Sequence, residues 1–441
     1  MEKKLFDILK ERGYVKDLTH EKEIIDLVNG EPMTFYLGID PTADSLHIGH
    51  FFALTMFRWL QDFGHHGIIL IGGATALIGD PTGKSDMRKM LSKEEVAHNK
   101  AEVKELVKRF VKTDGDNPAI IVDNADWIME HSYVDFMRDI GVHFNVNNML
   151  AADCYKKRLE NGGLTFLEMG YMLMQAFDFV HLNKEYGCRL QIGGSDQWGN
   201  ILAGADLSRK IGFSEGKKID PLFGWTCPLL IKADGEKMGK TASGTLWVSR
   251  DKTTPFDFYQ AWINSFDEDV ERSLSFFTRM EIADIKELCK KDIREAKKLL
   301  AFEVTKLVHG EEEALKAQKT AEELFSNKGV SDTMPSINLS KDLLDINIMD
   351  LLVETKLVSS KSEARRLIEQ NGVSINNNKI DNVNAIINID SFDNNSLLIQ
   401  KGKKKFVKLM NYYLNQLILL IDQLMSLSFD SMIYHFVQLI F

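Results

Sequence analysis

The stretch Tyr36-Leu37-Gly38-Ile39-Asp40-Pro41-Thr42-Ala43-Asp44-Ser45-Leu46-His47-Ile48-Gly49-His50 is the point from which the rest of the chain can be read. It opens as an apolar strand over Phe35–Ile39, breaks at Asp40-Pro41-Thr42 and enters a helix at Asp44-Ser45. Phe51, Phe52, Leu54, Met56, Phe57, Trp59 and Leu60 carry that helix to Gly64. A strand-turn-helix crossing aims backbone N–H groups and a partial positive charge at whatever lies in the turn. The spacing of His47 and His50 puts both on one face of the first helical turn. Gly49 between them has no side chain to keep a flat ligand away from the backbone. The pattern suits nucleotide binding, and it also suits an ordinary polar helix entrance.

The chain has 441 residues, enough for about two to four domains. Hydrophobic residues at 44% and charged residues at 27% place it among ordinary globular chains rather than disordered ones. The net charge of −10 and the pI of about 5.7 give a field that repels nucleic acid, so any such contact must use local basic patches. Cys154, Cys188, Cys227 and Cys289 are widely spaced and form no CxxC, so neither a zinc site nor a disulfide framework is expected. A reducing cytoplasm is the expected location. Met1-Glu2-Lys3-Lys4-Leu5-Phe6 lacks the apolar core of a secretion signal and the Arg/Ser-rich make-up of a presequence. No stretch approaches the roughly eighteen apolar residues of a membrane span, so no membrane partner is expected.

Residues 1 to about 30 read as two short amphipathic helices, one on Leu5, Ile8 and Leu9, the other on Ile24, Ile25, Leu27 and Val28. Further strands are expected at Ile68–Ile71, Ala119–Val122 and Cys188–Gly194, with a charged helix near 93–112. Nearly all-apolar strands alternating with helices predict a parallel sheet covered on both faces, an α/β Rossmann-like catalytic domain over residues 1–220. Ligands of such sheets bind beyond the carboxyl ends of the strands. From about 220 the character changes. Residues 221–327 combine Leu229-Leu230-Ile231, a Gly/Lys loop and long charged helical stretches, and read as an α-helical domain. Residues 328–346 are polar and read as a linker. A small unit follows at 347–409, and 410–441 is an apolar tail without lysine or arginine.

Four more pieces carry chemistry. Gly79-Asp80-Pro81-Thr82-Gly83-Lys84-Ser85 is not a P-loop, because the position that needs a glycine is Ile78; it remains a loop with Asp80, Lys84 and, one turn on, Arg88. Phe166–Val180 reads as a helix apolar almost all round, hence buried. Tyr171, Gln175 and Asp178 nevertheless line one face of it, and a buried carboxylate needs partners, so this stripe reads as the wall of a polar pocket. Gln191-Ile192-Gly193-Gly194-Ser195-Asp196-Gln197 runs from a strand through two glycines to a helix entrance. Asp196 there either caps the helix or accepts from ribose hydroxyls. Asp234-Gly235-Glu236-Lys237-Met238-Gly239-Lys240-Thr241 sets two lysines in a glycine-flanked loop, able to reach a phosphate chain as point charges.

His47-Ile48-Gly49-His50 and Lys237-Met238-Gly239-Lys240-Thr241 resemble the HIGH and KMSKS signatures of class I aminoacyl-tRNA synthetases. The first match is complete; the second has Gly239 and Thr241 in place of two serines, a form usual in the bacterial tyrosyl branch. Tyr36 through Thr42, the Tyr171/Gln175/Asp178 helix and the Gly193–Gln197 turn resemble that branch too, and the resemblance spans about residues 1–409. It implies a tyrosine–tRNA ligase that makes tyrosyl-AMP and pyrophosphate from L-tyrosine and ATP, with Mg²⁺ accompanying the ATP, and then charges tRNA(Tyr). By this resemblance Tyr36 and Asp178 would bind the phenolic hydroxyl, and Asp80, Tyr171 and Gln175 the α-ammonium group, with Gln197 on the tyrosine side of the adenylate. Gly38, Asp40, Thr42, Gly49, Gly194 and Asp196 would form the ATP side. Gly49 would lie under the adenine, Asp196 and Gly194 on the ribose, and Asp40 and Thr42 beside the reacting phosphate. His47 and His50 would contact the ATP phosphates, and Lys84, Arg88, Lys237, Lys240 and Thr241 would hold pyrophosphate.

Residues 351–376 resemble an S4-like α+β RNA-binding domain. Lys361, Arg365 and Arg366, with Lys401, Lys403, Lys404 and Lys405, are the local basic patches that the acidic total requires for RNA. The family also implies a homodimer, for which the Phe/Met-rich stretch near 133–150 is the candidate interface. The competing readings are a tryptophanyl-tRNA synthetase and an RNA-binding regulator with a synthetase-like core. The tail beyond 409 is expected to lie outside the functional core.

Overall fold

The computed structural model describes residues 3–82, 90–160, 163–241, 244–325, 336–339, 345–393, 396–402 and 405–411. These fall into two compact units. One is Met1–Thr253 with Ser265–His309; the other is Thr254–Asn264 with the described residues from Gly310 onward. Among the described residues no helix is long and apolar enough to cross a membrane.

The first unit is built on a six-stranded sheet. Its strands are β1 (Asp17–Leu18), β2 (Thr34–Ile39), β3 (His66–Ile71), β4 (Ile120–Asp123), β5 (Cys188–Gly194) and β6 (Phe223–Cys227), in the order β1-β6-β5-β2-β3-β4. All neighbours are parallel except β1, which pairs antiparallel with β6 at the edge. After β2 the chain winds first to β3 on one side and later to β5 on the other. That reversal opens a crevice at the carboxyl ends of β2 and β5, where α/β sheets bind ligands.

Both faces are covered, as the apolar strands require. On one, Tyr36, Ile68 and Leu70 pack with Phe179 and Leu182 of the Phe166–Tyr186 helix. On the other, Phe35 meets Phe57 of the Ile48–Asp62 helix, ring centroids 4.8 Å apart. Gly67 allows that approach, since a Cβ there would lie 2.2 Å from the Phe57 ring. Each such buried side chain contributes about 1.5–3 kcal/mol.

Three sequence expectations change. The helix after β2 begins at Ile48, not at Asp44-Ser45, because His47 is its N-cap. The sheet continues past residue 220, since β6 lies beside β5. Within the stretch read as a linker, Ser336–Leu339 is a strand, β9.

In the second unit β9 belongs to a five-stranded sheet with β11 (Val373–Ile375), β12 (Asn378–Lys379), β14 (Ser396–Lys401) and β15 (Lys405–Asn411); β10 (Ile346–Asn347) and β13 (Ile386–Ile387) pair separately. β15 lies between β14, antiparallel to it, and β9, parallel to it. Leu351, Leu352 and Ile368 from two helices pack on Val373, Ile375, Leu397, Ile399 and Leu409 of the sheet. Residues 412–441, most of the apolar tail, lie outside the described residues.

Candidate active site

A cavity of about 440 Å³ opens at the carboxyl ends of β2 and β5 and is walled by the loops and helices that follow them. Just past the end of β2, Asp40 is held by two hydroxyl donors: Tyr171 Oη at 2.8 Å and Thr75 Oγ1 at 2.7 Å. Gly72 leaves the room, since a Cβ there would sit 2.0 Å from Asp40 Oδ1. Tyr171 thus reaches Asp40 directly. Burial first, and then the Asp40 charge, push its phenol well above the usual range.

The histidine pair forms the helix entrance. His47 Nδ1 accepts from the Gly49 and His50 N–H groups at 3.1 and 3.4 Å, and His50 Nδ1 accepts from the His47 N–H at 3.4 Å. This is a reciprocal capping box built from imidazoles. The rings stack with centroids 3.8 Å apart and planes 14° apart. Because each Nδ1 accepts, a neutral ring carries its proton on Nε2, so both histidines present Nε2–H donors. A Cβ at Gly49 would meet the His47 ring at 3.0 Å, so the missing side chain also makes room for the imidazole. Both histidines, Gly49, Gly38, Asp40 and Thr42 line the cavity.

The deep end is closed by Tyr36 and Asp178. Asp178 accepts from Trp127 Nε1 at 2.8 Å and from Asn124 Nδ2 at 3.0 Å. Burial pushes its carboxyl up to about 8 and outweighs these donors. Tyr36 Oη is buried without a hydrogen-bond partner, and burial raises its phenol well above the ordinary value. Gln175 Oε1 and Gln191 Oε1, from the Phe166–Tyr186 helix and β5, are also buried and unpartnered. Tyr36 and Gln191 are register partners on β2 and β5. Thr82 Oγ1, on the same cavity, is likewise unpartnered; buried polar atoms are normally paired, so these four mark where a polar ligand belongs. Sequence reading did not assign Asn124, Trp127, Thr75 or Gln191. Asn124 follows β4, so the rule for strand carboxyl ends marks it; Trp127 carries no such signal.

A third side is acidic. Asp80 accepts from the Thr82 N–H at 2.9 Å and from Gln197 Nε2 at 2.7 Å. Burial, and secondarily Asp80, raise the carboxyl of Asp196. Gly194 makes room for Asp196, whose Oδ1 would stand 2.7 Å from a Cβ at that position. Lys237 and Met238 of the lysine loop line the cavity as well. Lys240–Thr241 (β7) pairs with Gly244–Thr245 (β8); the side chains of Lys240 and Thr241, and the whole of Lys84 and Arg88, lie outside the described residues.

In the second unit Lys361, Arg365 and Arg366 lie on one short helix, Lys361–Glu369, with Lys361 at its start and Arg366 in its last turn. Lys361 pairs with Asp350 at 2.5 Å and Lys401 with Glu363 at 2.8 Å. Arg365 and Arg366 are exposed and carry no ion pair among the described residues. Lys405 is half-buried, and Lys403 and Lys404 lie outside the described residues.

A parallel sheet with a histidine-capped helix at its switch point and a lysine loop across the same cavity is the architecture of the class I tRNA synthetases. Residues 28–326 match the family model of class I tRNA synthetases (W and Y), and residues 326–409 match the tyrosine–tRNA ligase SYY-like C-terminal domain. The chain belongs to the tyrosine–tRNA ligase family. It is 51% identical to the tyrosine–tRNA ligase of Clostridium tetani over 409 residues, which is 92% of this chain and 98% of that one. It is 51% identical to that of Acetivibrio thermocellus over 407 residues, 91% and 98% of the two chains. The crystal structure of a C-terminally truncated mitochondrial tyrosyl-tRNA synthetase of Aspergillus nidulans superposes with a TM-score of 0.65 at 31% identity, covering 74% of this chain and 95% of that one.

Proposed function

We infer that this cavity is where the ligase joins L-tyrosine to ATP, with the phenol at the Tyr36/Asp178 end and the phosphates at the His47/His50/Lys237 end. The observation that carries the reading is that one cavity holds both ends: unpartnered polar atoms at its floor, and imidazole and ammonium donors at its mouth. A phenolic hydroxyl would meet Tyr36 Oη and the Asp178 carboxyl. A ligand without it leaves Tyr36 Oη unpaired and Asp178 with only its Trp127 and Asn124 donors, which is a penalty against phenylalanine. Asp80, Gln175 and Tyr171 would take the α-ammonium group, while Asp40, Asp196, Thr42 and Gly194 would border the nucleotide.

The tyrosine carboxylate attacks the α-phosphorus of ATP, the bond to the β,γ-diphosphate breaks, and tyrosyl-AMP and pyrophosphate result. The nucleophile is already ionised, so no side chain need remove a proton. The protein's task is to orient the reactants and to stabilise charge growing on the phosphate oxygens. The two Nε2–H donors, the helix N-terminus and Lys237 supply that; Lys84, Arg88, Lys240 and Thr241 are proposed to assist. The terminal ribose hydroxyl of tRNA(Tyr) then attacks the acyl carbonyl, gives up its proton, and AMP leaves. Among the described residues no group of three or more His, Cys, Asp or Glu is arranged to hold a metal ion. Mg²⁺ accompanying the ATP would add to the neutralisation of charge on its phosphates.

Arg365, Arg366 and Lys361 are proposed to meet the tRNA backbone. The exposed Tyr133, Val134, Val142 and Val146 support 133–150 as a homodimer surface. Unpaired thiols at Cys188, Cys227 and Cys289 agree with a reducing cytoplasm. The test is amino-acid-dependent ATP–pyrophosphate exchange. Tyrosine should drive it and tryptophan should not; exchange with tryptophan alone, or none, refutes the reading. His47→Ala should slow adenylate formation by about a hundredfold and leave tyrosine affinity within about threefold.

A further inference from the structure

We propose that Asp44 and Lys252 are positioning residues that fasten the lysine loop to the histidine-bearing helix entrance, holding Lys237 at the phosphate end of the cavity. The proposal rests on the ligase reading above, and neither residue lines the cavity.

The loop is tied at both ends. At its start the Met238 N–H donates to the Leu230 carbonyl at 2.7 Å, and the Lys232 N–H to the Glu236 carbonyl at 2.8 Å. At its end the Leu246 N–H donates back to the Gly239 carbonyl at 2.6 Å. The exit segment then runs antiparallel to the helix entrance, with Trp247 opposite His47. The Val248 N–H donates to the Leu46 carbonyl at 2.9 Å, the Ile48 N–H to the Leu246 carbonyl at 3.3 Å, and the Ser249 N–H to Ser45 Oγ at 3.3 Å. Gly239, with φ at +90°, lies against Ile48, whose Cγ2 would stand 2.3 Å from a Cβ at that position.

The last fastening is made by side chains. Lys252 Nζ is 2.7 Å from Asp44 Oδ1 and lies over the Trp247 ring, 5.5 Å from its centroid. The hydrogen bond from Lys252 holds the Asp44 carboxyl below its usual range. Both residues are about one-third exposed, so the pair itself contributes little to stability. Its value lies elsewhere. A loop whose stem is already fixed loses less freedom when its lysines engage phosphate, and catalysis by alignment is sensitive to that. Tyrosine is read at the far end of the cavity, so its affinity should not depend on the pair.

A double-mutant cycle on the full chain tests this. Asp44→Ala and Lys252→Ala should each lower the rate of adenylate formation about tenfold, with KM for tyrosine within about twofold. The double alanine variant should be no worse than either single one, and the exchanged pair Asp44→Lys/Lys252→Asp should recover activity to within about threefold of the original. Singles whose effects multiply, an equal rise in KM for tyrosine, an unrescued exchange, or no effect at all would each overturn the proposal. Tryptic cleavage within 232–245 gives a readout that needs no activity. It should quicken in both single variants and return to the original rate in the exchanged pair; unchanged cleavage overturns the proposal even if the exchange assay shows that the ligase reading itself has failed.

Discussion

Asp178 has both carboxyl oxygens engaged and is fully enclosed, and its carboxyl is pushed up to about 8 by that enclosure. A carboxyl raised on folding binds more protons in the native state than in the unfolded one. The stability it contributes is present in full below its ordinary value of 3.8 and is lost as pH rises through about 8. Asp178→Asn removes that dependence. The Tm of the unmodified protein relative to this variant should therefore fall between about pH 5 and about pH 8.5, and a constant offset in differential scanning fluorimetry would contradict it. The histidines give a second prediction. Each uses Nδ1 to cap the helix, and in the proposed reading Nε2–H is the donor to the phosphates. Asparagine offers the same division, an oxygen to accept and an NH₂ to donate, whereas lysine has no acceptor. His50→Asn should retain adenylate formation within about tenfold, while His50→Lys should lose about a hundredfold and destabilise the helix by about 1 kcal/mol. His47, His50 and Asp178 stand out in sequence as polar groups in an otherwise apolar pattern, whereas Tyr36 is singled out only by the family resemblance; the structure places all four on one cavity. Trp127 and Gln191 do not stand out, since their importance comes from what the fold sets opposite them.

The long helix Phe166–Tyr186 was expected from its apolar run, and its ends explain its bounds. Thr165 caps it and Glu168 completes the capping box, while Gly187 terminates it in the left-handed region at φ 64°. Glu168 also accepts from Arg158 Nε at 3.0 Å and from its terminal guanidinium nitrogen, in a pair almost wholly enclosed. Removing one member of such a pair strands the other charge. Glu168→Ala should lower the unfolding free energy by about 3–5 kcal/mol in urea denaturation, far more than a lost cap alone. The helix after β2 misled the sequence reading for a related reason. Asp44-Ser45 has the composition of a helix cap, but Asp44 is engaged by Lys252 and Ser45 receives the Ser249 N–H, so capping falls to His47. Local composition shows which residues can cap; tertiary partners decide which one does.

The parallel sheet was legible across the chain because three of its strands are short, almost wholly apolar runs and a fourth, Cys188–Gly194, ends in two glycines. Phe223–Cys227 escaped because a change of character nearby suggested a boundary. β9 escaped because its segment is polar, and only the register with Lys405–Asn411 makes Ser336–Leu339 a strand. That register yields a truncation test. The family match ends at residue 409, and β15, between β14 and β9, ends at Asn411. A chain stopped after Asn411 should keep both pyrophosphate exchange and tRNA charging within about twofold of the full chain; one stopped after Lys404 should keep exchange but lose charging by at least about a hundredfold. Equal loss of both activities in the shorter chain would refute the division of labour.

The position of β15 also sets an order of events during synthesis. Every strand of the first sheet has been made by Cys227, whereas the second sheet waits for Lys405–Asn411, the last described strand of the chain. On the ribosome, where amino-terminal domains fold first, the sheet that borders the cavity is complete well before the one on which the helix bearing Arg365 and Arg366 packs. A growing chain therefore completes the sheet beneath the proposed tyrosine site before the sheet beneath the proposed RNA contacts.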